Sequence, residues 1–227
     1  MCLKSPIGGF THPAIGTMPP PKGAAIRGQV LAGGLLVSGL VTFTVGAARW
    51  RLAYEQPLEL SLPLKASDTG RLRWIHYWML TGLALTSVGL AAVSLLARSL
   101  WGTAAAVLFG MGATAFLIAI IFRLTVEEWA AAETVATGIV PPSYPPLAAW
   151  WVGLYGLHMV TAYLSAIPLA FMILSEDLGP TWLGWAGAVW GAICATGFVV
   201  TRGAGFFSPP ILAHTFTGAV GLTLLLY

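Results

Sequence analysis

The chain has 227 residues, of which 57% are hydrophobic and only 8% are charged. Soluble domains carry about 25% charged residues, so this composition leaves too little polar surface for a water-soluble globule and indicates an integral membrane protein. The net charge of +3 is small, and no cluster of basic and aromatic residues indicates nucleic-acid binding. The two cysteines, Cys2 and Cys194, belong to no CxxC or zinc-binding pattern.

The N-terminal segment, "MCLKSPIGGFTHPAIGTMPPPKGAAIRG", is rich in proline and glycine and has no continuous apolar run. A secretory signal peptide needs such a run, so the segment is not expected to be one. We predict a poorly ordered tail over residues 1–28 and a single transmembrane helical bundle over residues 29–227.

Six apolar segments reach, or nearly reach, the roughly 20 residues that a membrane-spanning helix needs. They are residues 29–49, 73–97, 101–122, 148–174, 181–201 and 210–227. None shows the alternation of polar and apolar residues that is typical of a β-barrel strand. Trp and Tyr residues gather at the segment ends, as expected where helices meet lipid headgroups. We predict an all-α fold, a polytopic membrane protein with six transmembrane helices in one bundle.

The basic residues are distributed unevenly between the predicted loops. Seven of the eleven Lys and Arg residues lie in the first, third and fifth loops. Because cytoplasmic loops carry an excess of Lys and Arg, these loops are predicted to be cytoplasmic, with both termini outside. We call the helix ends that these three loops join the odd-loop face.

Two loops of this face are long enough to carry structure of their own. In the first, residues 50–72, alternating leucines predict an extended stretch or a segment lying along the headgroups. In the third, residues 124–137 predict an amphipathic interfacial helix that ends at Gly138. Its glutamates are expected to face away from its apolar side. Arg123 and Glu127 are four residues apart, so we expect them to pair.

One histidine lies inside a long apolar segment that contains no acidic residue and no lysine or arginine. Residues 150–174, "WWVGLYGLHMVTAYLSAIPLAFMIL", contain His158 and no Asp, Glu, Lys or Arg. Ionisable residues in membranes face the bundle interior and are functional-site hypotheses by default. Three roles are open to His158: a hydrogen bond to a neighbouring helix, a contact with a ligand or cofactor, and proton transfer.

His76 and His214 each lie about four residues into a predicted helix and approach from the odd-loop face, which predicts matching depths. Two histidines on facing helices can ligate haem b. With Glu127 or Glu133 they could instead form a transition-metal site. These are candidate haem or metal ligands, and the sequence does not decide which cofactor, if any, is bound.

A third possibility is a binding cavity or transport path under the loop helix. Arg123 or Arg202 would there hold the acidic group of a lipid or substrate. The candidate ligand-binding residues are His158, Arg123, Glu127, Glu133 and Tyr155.

The segment "EDLGPTWLGWAGAVWGAI", residues 176–193, resembles one found in large families of uncharacterised six-span bacterial membrane proteins. These families have a P-x-W-L-G-W sequence before a fifth helix rich in Gly and Ala. The resemblance implies a protein of the bacterial inner (cytoplasmic) membrane. It implies no activity and no catalytic residue.

The sequence contains no GxSxG, Walker A or GxGxxG motif in a suitable context. We therefore predict a non-enzymatic protein that binds a lipid or small hydrophobic ligand, or a subunit of a larger membrane complex. The alternative is a haem- or metal-dependent membrane oxidoreductase with histidine ligands, and the third hypothesis is a small-solute transporter. The expected partners are the lipid bilayer and other membrane subunits, with no nucleic acid.

Overall fold

A computed structural model describes residues 22–226, and all regular structure in that range is helical. The α-helices are α1 (Lys22–Ala47), α2 (Leu58–Ser67), α3 (Thr69–Ala97), α4 (Leu100–Phe122), α5 (Glu128–Thr137), α6 (Tyr144–Ser175), α7 (Thr181–Val200) and α8 (Ile211–Leu226). Of the tail predicted over residues 1–28, residues 1–21 lie outside the described range. Residues 22–28 are already the start of α1, because Pro21 is the last residue that obstructs a helix there.

The predicted all-α fold is confirmed in the described range, and five of its helical stretches are long and apolar enough to cross a membrane, which is compatible with an integral membrane protein. They are Ile26–Ala47, Thr69–Ala97, Leu100–Thr137, Tyr144–Ser175 and Thr181–Val200. The sixth predicted span corresponds to α8, which has 16 residues. A helix of that length rises roughly 24 Å, less than the roughly 30 Å of bilayer hydrocarbon.

The main core takes residues from α1, α3, α4, α6, α7 and α8, and a smaller apolar cluster joins α2, α4, α5 and α6. Helix α1 packs mainly against α3 and α8, α4 against α3 and α6, and α6 against α7. Glycines allow the closest approaches. A Cβ atom built on Gly39 of α1 would lie 2.4 Å from the Thr86 hydroxyl and 3.0 Å from the Gly82 carbonyl of α3. Small residues at such crossings let helix backbones come close in lipid.

The first loop is helical, so the expected extended stretch is wrong. Helix α2 buries Ser61, Leu62 and Lys65, which lie on one face at helical spacing, and it packs against α5. This spacing was present in the sequence beside the alternating leucines. We call α2 and α5 together the cap.

Helix α5 continues directly from α4 through one π-helical turn, Arg123–Glu127. It ends where the sequence predicted, because Gly138 adopts a left-handed conformation with φ of 73°. The continuous stretch of 38 residues rises roughly 57 Å, far more than the hydrocarbon thickness. The stretch is therefore longer than one crossing of the hydrocarbon needs, and Ala130 and Ala131 of α5 share an apolar cluster with Tyr144 at the start of α6.

Candidate functional site

A buried ionic cluster lies beneath the cap. The Lys65 Nζ lies 2.8 Å from one carboxylate oxygen of Glu127, and the Arg123 Nε lies 2.9 Å from the other. The Tyr144 hydroxyl donates to the oxygen that Lys65 also contacts, at 3.2 Å. The expected pairing of Arg123 with Glu127 is therefore present. Glu127 nonetheless points inward, where it is 3% exposed, and not away from the apolar side of its helix as expected.

Two tryptophans hold the Arg123 guanidinium from either side. Its central carbon lies 4.4 Å from the ring centroid of Trp50 and 4.5 Å from that of Trp151. A cation over an aromatic face is attracted by the ring quadrupole, and the attraction is stronger in a desolvated site. Trp50 comes from the first loop and Trp151 from α6, so the guanidinium joins three separate parts of the chain.

Hydrogen-bond donors outnumber acceptors in this cluster. Arg123 has five N–H groups, of which the structure bonds only the one on Nε, and Lys65 has three, of which one is used. Burial lowers the pKa of Lys65, although the neighbouring Glu127 carboxylate opposes that shift. Two cations thus share one carboxylate and retain free donors.

Lys65 and Arg123 both line a crevice between α2, α3 and α5. Its cavity of about 10 Å³ has room for about one water molecule. The lining residues are Lys65, Leu72, His76, Arg123, Glu127, Glu128 and Ala131. His76 is 3% exposed, and its Nδ1 has no hydrogen-bond partner. We call this the cap crevice.

The rim of the crevice and the neighbouring loop are fixed by weaker, more exposed contacts. Arg73 of α3 and Glu128 of α5 pair at 2.6 Å across the rim. At the start of α3, Asp68 accepts a hydrogen bond from Tyr54 at 2.5 Å and pairs with Arg51 at 2.7 Å. Burial and the bond to Asp68 raise the pKa of Tyr54 to about 12, so its hydroxyl remains a donor at physiological pH.

The structure brings only part of the predicted ligand-binding set together. Arg123 and Glu127 meet in the cap crevice. Glu133 lies on the exposed side of α5 and does not line it, because the buried face of this helix is formed by other residues. Tyr155 donates a hydrogen bond to the Ser208 carbonyl and so ties α6 to the loop before α8.

His158 occupies a second site, inside the bundle. Its ring stacks on Phe116, with centroids 4.5 Å apart, and lies 6.4 Å from the ring of His214. Both histidines are 0% exposed. The His158 Nδ1 and Nε2 and the His214 Nε2 have no hydrogen-bond partner.

His76 and His214 do not lie at matching depths, contrary to the expectation that they form a ligand pair. His214 contacts Thr86, which follows His76 by ten residues on the continuous helix α3 and so lies roughly 15 Å further along its axis. The depth estimate failed because α8 begins beside the middle of α3 and not beside its first turns. Within residues 22–226, no three His, Cys, Asp or Glu side chains come together in a group suited to a metal ion.

No known protein helps to interpret these sites. Neither family models, nor curated proteins, nor solved structures gave a match to this chain.

Sequence reasoning missed four residues in or beside the cap crevice. The residues that surround Arg123 and Glu127 but were not predicted as site residues are Lys65, Trp50, Trp151 and Tyr144. For Lys65 a signal existed, since a lone basic residue on the apolar face of a short helix is expected to have a buried partner. The two tryptophans gave no signal, because Trp at segment ends is common in any membrane protein.

Proposed function

We propose that this protein is a six-span protein of the bacterial inner membrane that binds the anionic group of a lipid or similar amphiphile at the cap crevice. The observation that carries the proposal is that two cations share one carboxylate beside a small cavity. Lys65 and Arg123 share the single carboxylate of Glu127, and both line the cavity together with His76. A phosphate or carboxylate oxygen there would add the second acceptor that two cations with one shared carboxylate can use.

The position of the crevice favours an amphiphile over a soluble anion. It lies at the end where α3 begins and α4 ends, and the neighbouring side chains include Trp50 and Trp151, which both contact Arg123. Tryptophan is enriched at the headgroup level of bilayers. An acidic lipid could place its headgroup in the crevice while its acyl chains remain against the exposed apolar side chains of the bundle.

The size of the cavity requires that the cap move when a headgroup binds. About 10 Å³ is enough for one oxygen of a phosphate but not for the whole group. Helix α2 has ten residues, and it packs mainly against α5, where its Lys65 pairs with Glu127 of the adjoining π-helical turn. It is therefore the element expected to shift.

The experiment uses the full chain purified in a neutral detergent. Thermal unfolding would be followed in the presence of a short-chain phosphatidylglycerol, the matching phosphatidylcholine, and inorganic phosphate. A ligand that binds only the folded state at 100 times its Kd stabilises it by about 2.7 kcal/mol. We expect phosphatidylglycerol to raise Tm and phosphatidylcholine to leave it unchanged. An equal effect of inorganic phosphate would identify a soluble anion as the ligand.

Lys65→Met is the informative variant, because it removes one cation and leaves Arg123, Glu127 and Tyr144 paired. We expect it to remove most of the Tm increase caused by phosphatidylglycerol. Arg202→Met is the matched control, since Arg202 is an exposed cation of the same face outside the crevice. Equal responses of the two variants, or equal stabilisation by both lipids, would contradict the proposal.

A further inference from the structure

The second site, at His158 and His214, lies apart from the cap crevice and needs its own explanation. Both rings are 0% exposed inside an apolar bundle. Three of their four nitrogens have no hydrogen bond of good geometry, and the backbone of Gly112 is the polar group that lies near the His158 ring. Buried polar groups are normally satisfied, because leaving one without a partner carries its full desolvation penalty. Three such atoms on two adjacent rings indicate a site for something that binds nitrogen.

The hydrogen bonds around His214 determine which of its nitrogens is free to ligate. The Thr86 hydroxyl donates its only hydrogen to the Gly82 carbonyl at 3.0 Å. Its oxygen therefore accepts from the His214 Nδ1, 3.2 Å away. Nδ1 then carries the hydrogen, and Nε2 presents a lone pair. A histidine whose second nitrogen donates to a neighbouring group is the usual arrangement of a metal ligand.

The spacing of the two rings fits one ion between them. Two imidazole nitrogens on opposite sides of an ion, each roughly 2.0 Å from it, place the ring centroids about 6 Å apart. A direct N–H···N hydrogen bond would bring the centroids to about 5 Å. The observed separation is 6.4 Å, too long for the direct bond and close to the value for a bridging ion.

The residues around the two rings favour a monovalent ion over a divalent one. The neighbours of the two rings are the phenyl groups of Phe43, Phe109 and Phe116. In residues 22–226 no third His, Cys, Asp or Glu joins the pair as a metal-binding group, whereas Zn²⁺ takes four ligands in structural sites and three plus water in catalytic ones. A single charge is also far less costly to desolvate than a double charge. Imidazole binds copper well, and copper(I) accepts two ligands in a line.

We propose that His158 and His214 form a two-coordinate site for a soft monovalent metal ion of the copper(I) type. The site uses neutral ligands only, so no proton is released from the His214 Nε2 on binding. Thr86 is a positioning residue, because it fixes the tautomer of His214 without touching the ion. The proposal is independent of anion binding at the cap crevice.

The test is anaerobic competition between the purified full chain and a chromophoric copper(I) chelator. It is carried out in a Cys2→Ser background, because the thiol of Cys2 would bind copper(I) by itself. We expect one equivalent of copper(I) bound per chain. His158→Phe and His214→Phe should each lower the affinity at least tenfold. His76→Phe is the matched control and should leave the affinity unchanged.

Two further measurements separate ligation from folding. Thr86→Val keeps both histidines and should lower the affinity by about 10- to 100-fold, as loss of a supporting hydrogen bond does at other metal sites. X-ray absorption of the loaded protein should show two nitrogen neighbours and no sulfur. Failure of the monodisperse parent protein to bind copper(I), or binding that survives the combined His158→Phe and His214→Phe change, would overturn the proposal.

Discussion

Glu127 shows how a single residue connects the cap to the bundle. Its carboxylate accepts from Lys65 of α2, from Arg123 at the end of α4 and from Tyr144 at the start of α6. Burying three charges together is costly unless each charge has a partner. The cluster is thus a strict constraint on how these three parts of the chain meet.

Replacing this carboxylate tests that constraint. Glu127→Gln removes the only anion of the buried cluster and leaves Lys65 and Arg123 without a counter-charge, so we expect a loss of about 3–5 kcal/mol in the free energy of unfolding. The loss would be measured by reversible unfolding in mixed micelles, followed by circular dichroism.

The neighbouring Glu128 supplies the control. It pairs with Arg73, whose side chain is 55% exposed, and exposed pairs contribute about 0–1 kcal/mol. Glu128→Gln should therefore have a small effect. Similar losses for the two variants would mean that the buried cluster does not stabilise the fold.

At the scale of elements, the α1–α3 crossing positions the bundle interior. Helix α3 carries Thr86, which holds His214, and Gly39 of α1 lies directly against this threonine. The close approach of the two helices therefore also determines the environment of the His158–His214 pair.

A methyl group at this crossing should be destabilising. The Cβ of Gly39→Ala would meet the Thr86 backbone nitrogen at 2.9 Å and the Gly82 carbonyl at 3.0 Å, so the helices must separate. We expect a loss of about 1–3 kcal/mol, as overpacking usually causes. The same micelle unfolding assay measures it.

Gly34 on the same helix is the matched control. A Cβ atom there meets nothing within 4 Å, and alanine is the better helix former by up to about 1 kcal/mol. Gly34→Ala should leave stability unchanged or raise it slightly. A loss at Gly34 equal to that at Gly39 would show that backbone effects, and not the crossing, cause the change.

At the scale of the whole molecule, the arrangement of charge predicts the orientation. Basic residues of the first and third loops lie together at the odd-loop face, where Lys65 and Arg73 pair with glutamates of the third loop segment. Because cytoplasmic loops carry an excess of Lys and Arg, we predict that this face lies inside the cell. With the six spans proposed above, both ends of the bundle are then expected on the opposite side.

Reporter fusions test both the span number and the orientation. Alkaline phosphatase joined after Tyr227 should be active, because it is exported, and green fluorescent protein at the same position should be dark. Fusions after Gly138 should behave in the opposite way. If the fusions after Gly138 and after Tyr227 report the same side of the membrane, then α8 or one of the helices between the two positions does not span it.

The sequence by itself determined the apolar composition of this protein, its helical class and most helix positions. These features depend on local composition and on the length of apolar runs. It also determined the Arg123–Glu127 pair and the end of α5 at Gly138, since both depend on neighbours a few residues apart. Only the tertiary structure decided that Lys65 joins that pair, that Glu133 does not, and that His214 meets His158 and Thr86 rather than His76. Those contacts join residues far apart in the chain, and they depend on helix rotation and on the depth at which α8 begins, which hydrophobic periodicity does not specify in a bundle whose helices are apolar on every side.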